Sequence, residues 1–125
     1  MKFINDFLNK RKQISRTYDE NLKKLPVVLP YVKEGIESSM HLYVIQLKQN
    51  ERNKMINFLR EKGIATNVHY IPIHLQPFYV QLGFKRNSFV ESEKYSEKAL
   101  SLPIHPSLND KDLEYIISVI KNFFL

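Results

Sequence analysis

The sequence predicts an α+β fold, in which a small mixed or antiparallel sheet is covered by helices, as one domain over residues 1–125. A length of 125 residues fits one globular unit with its own core. Apolar residues recur at three- and four-residue spacing in several segments, which indicates helices packed on that core. The apolar segments between them are short and bounded by Pro or Gly, and such strands favour a small sheet over a doubly wound parallel one.

The first half of the chain predicts a helix, a strand and a second helix. Residues 3–22 place their apolar side chains on one helical stripe, and Pro26 lies beyond the end of this helix. Residues 41–47 are apolar on both alternating faces, as is typical of a strand that is covered on both sides. Asn50 is expected to cap the second helix, and Gly63 is expected to end it in the left-handed conformation.

The second half predicts a strand, a loop, a helix, a short strand and a last helix. The first of these strands begins at Ile64, directly after the second helix. Ser88 and Glu91 match a capping box, in which each side chain satisfies a free backbone N–H. This motif predicts a helix over residues 89–99, with the short strand directly after it. Asn109 is expected to cap the last helix, aided by acidic residues in its first turn.

The composition restricts the classes of partner. The net charge of +6 favours an anionic partner, but the basic residues are spread along the chain and no nucleic-acid-binding motif is present, so nucleic acid is not expected. A sugar nucleotide explains the charge equally well. The absence of cysteine excludes disulfides and thiolate metal sites. No segment approaches the roughly 20 apolar residues of a membrane span, and residues 1–6 are too polar for a signal peptide, so no membrane partner and a cytoplasmic location are expected.

Residues 63–77 are the strongest candidate for a ligand site, because two histidines and a tyrosine stand among prolines there. His69, Tyr70 and His74 are, in that order, the candidate substrate-binding residues. The histidines are five residues apart with a proline between them, which does not place two metal ligands on one helical face. No acidic residue occurs over residues 62–90, so no catalytic residue and no metal are expected. For His74 an equally supported interpretation is a hydrogen bond within the loop.

Three other residues that could contact a ligand are expected to serve packing instead. Phe78 could stack on a base or a sugar, but an aromatic residue beside a proline more often packs its loop onto the core. His41 and Tyr43 lie on the predicted covered strand. Core packing is therefore expected for both of them.

Several short motifs occur together in one order. They are Arg11 followed by Tyr18, His41-Leu42-Tyr43-Val44, Gly63-Ile64-x-Thr66-x-Val68-His69-Tyr70-x-Pro72, His74-Leu75-Gln76-Pro77-x-Tyr79, Leu82-Gly83, Glu93 and Leu100-Ser101-Leu102-Pro103. In order and spacing they resemble the C-terminal portion of the DegT/DnrJ/EryC1/StrS sugar aminotransferases, over nearly the whole chain. Residues 69–79 are most similar to enzymes that aminate a UDP-linked 4-keto-6-deoxy-N-acetylhexosamine toward pseudaminic-acid-type sugars, and to spore coat polysaccharide aminotransferases.

The resemblance implies the small C-terminal domain of a fold-type I pyridoxal phosphate enzyme, a homodimer that transfers an amino group from glutamate to a UDP-linked 4-keto sugar. The lysine that forms the Schiff base belongs to the large N-terminal domain of such enzymes, and by this resemblance the sequence is expected to begin after that domain. The chain alone is therefore expected to bind no cofactor and to be inactive. Its expected contribution is a wall of the substrate site, formed by the loop that carries His69 and Tyr70.

Two other functions stay open on the sequence. A stand-alone basic module could bind a nucleotide sugar or nucleic acid without chemistry, and nucleic-acid affinity would then fall steeply with salt. A dimerisation module would associate with itself and show no ligand preference.

Overall fold

The computed structural model describes residues 3–125, and it shows the predicted α+β class. Met1 and Lys2, which begin the segment in which no signal peptide is expected, lie outside the described residues. In chain order the elements are α1 (Ile4–Leu22), β1 (Tyr43–Gln46), α2 (Arg52–Glu61), a 3-10 turn (Ile73–Leu75), α3 (Pro77–Gln81), α4 (Val90–Lys98), β2 (Ala99–Leu102) and α5 (Asp110–Phe123). The 3-10 turn and α3 occupy a region in which the sequence predicts only a loop.

The sheet within residues 3–125 consists of β1 and β2, which pair antiparallel. The register pairs Tyr43 with Leu102, Val44 with Ser101, Ile45 with Leu100 and Gln46 with Ala99. One extended residue pairs with each outer edge, Val28 with Gln46 of β1 and Asn67 with Ser101 of β2. Both edge pairs exchange two backbone hydrogen bonds, so each edge is closed at one point by a connecting segment.

The end of α2 explains why no regular strand begins at Ile64. Gly63 has a φ of +75°, and its N–H donates to the carbonyl of Arg60 over 3.0 Å. The N–H of Ile64 donates to the carbonyl of Leu59 over 2.9 Å, which completes a Schellman motif. The predicted role of Gly63 is confirmed. The predicted strand is wrong. The N–H of Ile64 bonds to the end of α2 and its side chain packs into the core. Among the described residues, the segment after Ile64 makes one β-bridge, the pair of Asn67 with Ser101.

Of the two asparagines predicted to cap helices, one does so. The side chain of Asn109 accepts a hydrogen bond from the N–H of Asp112 over 2.8 Å, which confirms the predicted start of α5. The prediction for Asn50 is wrong. Glu51 precedes the first residue of α2, and Asn50 lies one residue further out with a φ of +68°.

The predicted capping box before α4 is also wrong. The Oγ of Ser88 accepts a hydrogen bond from the N–H of Lys85, so it closes the preceding turn. The carboxylate of Glu91 accepts a hydrogen bond from Lys94 on the exposed face of the helix. Both side chains therefore make local hydrogen bonds that do not cap the helix. The helix α4 begins one residue later than predicted, at Val90.

The core lies between the sheet and the inner faces of α1, α2 and α5. Its fully buried members are Tyr18, Tyr43, Ile14, Leu22, Ile45, Met55, Leu59, Leu100 and Ile120. Burying one such apolar side chain contributes about 1.5–3 kcal/mol, which explains why the spacing of apolar residues predicts these helices correctly. Only the second half of the α1 stripe enters the core, since Phe3, Ile4 and Phe7 are half-exposed or more.

The strand β1 is covered on one face instead of two. Tyr43 and Ile45 are fully buried, whereas Val44 and Gln46 on the other face are half-buried. Core packing is confirmed for Tyr43, whose ring lies 4.8 Å from that of Tyr18. It is wrong for His41, which precedes the strand and is exposed.

Candidate functional site

The loop of residues 68–75 and the helix α4 form the walls of a cleft of about 590 Å³. Its lining residues are Arg52, Val68, His69, Tyr70, Ile71, Pro72, Leu75, Arg86, Glu93, Ser96 and Glu97. The cleft therefore brings two of the three candidate residues, His69 and Tyr70, beside charged side chains that are distant in sequence. The third candidate, His74, lies on the same loop behind this wall.

His69 and Tyr70 are adjacent in sequence but differ in how they are held. His69 is half-buried, and its Nε2 is hydrogen-bonded to Oγ of Ser101 on β2. Asn67, two residues earlier, pairs with the backbone of the same Ser101. The sheet therefore fixes the start of the loop. Tyr70 is 89% exposed, so its phenol is free of the core and is able to donate and accept hydrogen bonds.

His74 points inward and pairs with Glu93 of α4. Its Nε2 lies 2.8 Å from Oε1 of Glu93, and the two side chains are 7% and 8% exposed. Because an ionised carboxylate only accepts hydrogen bonds, Nε2 of His74 is the donor. The ring of His74 also packs against Phe89, with 4.9 Å between ring centroids. The sequence left open a hydrogen bond within the loop for His74. The structure gives His74 a hydrogen bond, but its partner lies on α4, 19 residues further along the chain.

Glu93 is kept ionised by its hydrogen bonds. Burial opposes its ionisation, but bonds from His74 and from the N–H groups of Asn87 and Phe89 outweigh burial, and the pKa of Glu93 lies below its usual value. The N–H of Asn87 donates to the same Oε1 over 2.8 Å. One carboxylate oxygen thus joins the loop of His74, the turn before α4 and α4 itself.

The fold supplies acidic and basic groups that sequence reasoning missed. No acidic residue lies near the histidines in the chain, yet α4 places Glu93 and Glu97 in the cleft. Arg52 of α2 is held there by the carbonyl of Ser96, and Arg86 lies 3.7 Å from Glu97. No pattern in the sequence around the histidines predicts these acidic and basic residues. Glu93 is 19 residues from His74, and they meet only because α4 packs behind the loop.

Phe78 does not pack onto the core, so the packing expectation for it is wrong. It is 64% exposed and meets Tyr79 edge-to-face, with 5.4 Å between ring centroids. Pro77 opens the five-residue helix α3, and no residue of this helix is buried. Proline at the first helical position was the signal that could have revealed α3.

The side chains that the cleft offers to a metal or a cofactor are limited. Across residues 3–125 no three His, Cys, Asp or Glu side chains come together in a group able to hold a metal ion. Pyridoxal phosphate is held covalently through a lysine amine, and none of the described residues that line the cleft is a lysine, so they do not fit that attachment. Over the same part of the chain no helix has both the length and the apolar character needed to cross a membrane.

Comparison with known proteins identifies relatives across almost the whole chain. The chain is 31% identical to the spore coat polysaccharide biosynthesis protein SpsC of Bacillus subtilis, over 98% of this chain and 33% of SpsC. It is 29% identical to dTDP-3-amino-3,6-dideoxy-alpha-D-galactopyranose transaminase of Aneurinibacillus thermoaerophilus, over 98% of this chain and 33% of that enzyme. The solved structure of Helicobacter pylori PseC, an aminotransferase involved in the biosynthesis of pseudoaminic acid, matches with a TM-score of 0.80 and 31% identity, over 94% of this chain and 33% of PseC.

These matches share one feature, which is that the chain spans about a third of the length of the curated relatives. The model of the DegT/DnrJ/EryC1/StrS aminotransferase family matches residues 1–121, and this range includes both strands and every residue of the cleft. The chain belongs to the DegT/DnrJ/EryC1/StrS aminotransferase family.

Proposed function

We propose that this chain is the C-terminal small domain of a pyridoxal phosphate-dependent aminotransferase that aminates a nucleotide-linked 4-keto-6-deoxy sugar, and that it forms one wall of the substrate site. The observation that carries this proposal is the cleft in which His69 and Tyr70 stand beside Arg52 and Arg86, in a chain of this family. The chain is not catalytic alone in this proposal. The cofactor and its lysine are supplied by the large domain of the parent enzyme.

Each candidate residue has a defined task in the proposed wall. Tyr70 presents a phenol for hydrogen bonds to the sugar, which its 89% exposure supports. His69 binds the substrate through the ring nitrogen that its bond to Ser101 leaves unused. Cationic Arg52 and Arg86 favour the phosphates of a nucleotide sugar. His74 was expected to contact substrate, but its bond to Glu93 supports a role in holding the loop.

The proposed partners follow from the parent enzyme. They are the large N-terminal domain, a UDP-linked 4-keto sugar, glutamate as amino donor and a second copy of the full enzyme in a homodimer. The product would enter a surface or spore coat glycan, and the enzyme would act in the cytoplasm. The names of SpsC and PseC support the glycan assignment. Neither a nucleic acid nor a membrane is among the proposed partners.

The decisive experiment joins this chain to the rest of PseC in place of the matching third, and follows amination of a UDP-linked 4-keto sugar by glutamate. We expect an active chimera in which Tyr70→Phe or His69→Ala lowers kcat/KM by about tenfold, the effect of one lost hydrogen bond in the transition state. Tyr31→Phe is the matched control, because Tyr31 is 86% exposed and does not line the cleft. An active chimera that keeps its kcat/KM within about twofold in both variants would contradict the assignment of the wall.

A second experiment with the chain alone separates the proposal from a stand-alone function. After incubation with one equivalent of pyridoxal phosphate and reduction by borohydride, mass spectrometry should find no lysine that is modified in clear preference to the other exposed lysines. Selective, stoichiometric modification of a single lysine would show that the chain holds the cofactor itself. Binding of single-stranded nucleic acid that weakens steeply with salt would favour the basic binding module. Self-association in sedimentation without any sugar-nucleotide binding would favour the dimerisation module.

A further inference from the structure

The two walls of the cleft are fastened together by one buried pair. The loop wall carries His69 and Tyr70, and the opposite wall is α4 with the turn before it. His74 of the loop and Glu93 of α4 meet over 2.8 Å behind the lining surface of the loop. Glu93 itself also lines the cleft, so it touches both the fastening and the site.

The fastening stands apart from the main core. The apolar core cluster does not include any residue of the loop or of α4 among its buried members. Behind the loop lie the His74–Glu93 hydrogen bond and the N–H of Asn87, which donates to the same carboxylate oxygen. Phe89 completes this fastening by packing on the His74 ring. Losing one partner would leave the other buried without its hydrogen bond, and such a loss is costly.

We propose that Glu93 is a positioning residue, which acts through His74 to hold the loop so that His69 and Tyr70 face the sugar nucleotide. This inference rests on the proposed function, since it takes His69 and Tyr70 as substrate contacts. At its start the loop is fixed by the bond between His69 and Ser101. Glu93 fixes its other end, five residues on, where the chain turns into α3. Tyr70 lies between these two anchors and is 89% exposed.

The chain alone tests the positioning without any catalytic readout. In Glu93→Ala and in His74→Ala, amide hydrogen exchange should become faster over residues 68–75 while the amides of α5 keep their wild-type rates. The double variant should exchange no faster than either single variant, because both lose the same bond. Unchanged exchange over residues 68–75 in Glu93→Ala would overturn the positioning and leave the proposed function untouched.

The PseC chimera then tests what the positioning is for. Glu93→Ala should raise the KM for the sugar nucleotide by about tenfold or more, with the KM for glutamate and kcat within about threefold. Glu93→Gln keeps an oxygen that accepts from His74 and Asn87, so it should recover most of the lost affinity. Glu91→Gln is the matched control, since it makes the same change on the exposed face of α4.

The chimera has two results that would overturn the inference. One is a fall in kcat with unchanged KM for the sugar nucleotide, and the other is an equal rise in KM for both substrates. The proposed function is judged separately by Tyr70→Phe and His69→Ala. If these two variants have no effect in an active chimera, the substrate contacts fail, whereas if they act and Glu93→Ala does not, only the positioning role fails.

Discussion

The hydroxyl of Tyr43 on β1 donates a 2.6 Å hydrogen bond to Oδ1 of Asp19 on α1. The bond ties the sheet to the first helix at a point where the ring of Tyr43 is fully buried against Tyr18. Burial, followed by the hydrogen bond and the negative charge of Asp19, raises the pKa of Tyr43 above its usual value. Tyr43 thus keeps its proton, and the bond holds, across the physiological range of pH.

Tyr43→Phe should lower the free energy of unfolding by about 1–2 kcal/mol, because it removes the donor to Asp19 and leaves the ring in place. Urea denaturation measures the effect. Tyr95→Phe makes the same change at a residue that is 45% exposed, and it should stay within about 0.5 kcal/mol of the wild type. Equal losses in the two variants would show that the bond to Asp19 contributes nothing.

Alkaline pH should destabilise the chain through its buried tyrosines. Burial raises the pKa of Tyr18 as it does that of Tyr43, so the unfolded chain releases these protons at lower pH than the folded chain. Their contribution to stability is present below about pH 10 and is lost as the pH rises further. Tyrosinate absorbance recorded beside circular dichroism should show a component that appears only with unfolding. Complete ionisation of all tyrosines in the folded chain would contradict this.

Arg11→Lys should destabilise the chain by about 1–3 kcal/mol. The Nη1 atom of Arg11 donates hydrogen bonds to the carbonyl oxygens of His41 and Ile104 over 2.9 and 3.0 Å. It also lies 3.3 Å from the carbonyl oxygen of Met40. A single guanidinium thus joins α1 to the segments before β1 and after β2, and a lysine ammonium does not reproduce its planar shape. Arg16→Lys, on the exposed side of the same helix, is the control for thermal denaturation. If Arg11→Lys and Arg16→Lys shifted the Tm by similar amounts, the carbonyl contacts of Arg11 would not be the source of the stabilisation.

Gly63→Ala should cost about 1–2 kcal/mol, and Gly63→Asn should cost less. A Cβ at this position would meet no heavy atom within 4 Å, so the cost is the left-handed backbone with its φ of +75° and not a clash. Asparagine tolerates that conformation better than alanine does. The comparison of the two midpoints in urea isolates this backbone cost, and an asparagine variant as unstable as the alanine one would disprove it.

Acid should weaken the fastening of the cleft loop. The pKa of Glu93 in the folded chain lies below its usual value, so its stabilising contribution is complete above about pH 4.3 and declines as the pH falls toward the lower, folded-state pKa. The imidazole of His74 faces Glu93 from behind the cleft, and the charged residues that line the cleft beside Glu93 are Arg52, Arg86 and Glu97. The stability difference between wild type and Glu93→Gln should shrink between about pH 6 and about pH 3. A difference that is independent of pH would exclude ionised Glu93 as its source.

The sequence could predict those features whose physical cause is local. Asn109 caps α5 through a residue three positions on, and Gly63 ends α2 through bonds within that helix and the residue after it. Apolar spacing likewise predicts the buried second half of α1. Ser88 satisfies the same kind of local pattern and still fails, because its hydroxyl takes the nearby N–H of Lys85 instead of the helix start.

The sequence could not predict the features that depend on distant partners. The residues beside His69 and Tyr70 predict a ligand site there, but nothing near His74 in the sequence indicates that α4 will bring Glu93 to its ring. The same holds for Arg52, which comes from a helix that precedes the loop in the chain. Pairing across the fold fixes these groups, so their chemistry becomes visible only when the elements are packed.

The two short pairs at the sheet margins bear on how the chain behaves at high concentration. Unpaired strand edges are templates on which other molecules add strands and form aggregates. Val28 covers one margin of the sheet and Asn67 covers the other, each through two backbone hydrogen bonds. A sheet of two four-residue strands with both margins occupied gives an incoming strand little room to pair. Disruption of either pair, for example by Val28→Pro, should therefore make the chain aggregate at lower concentration.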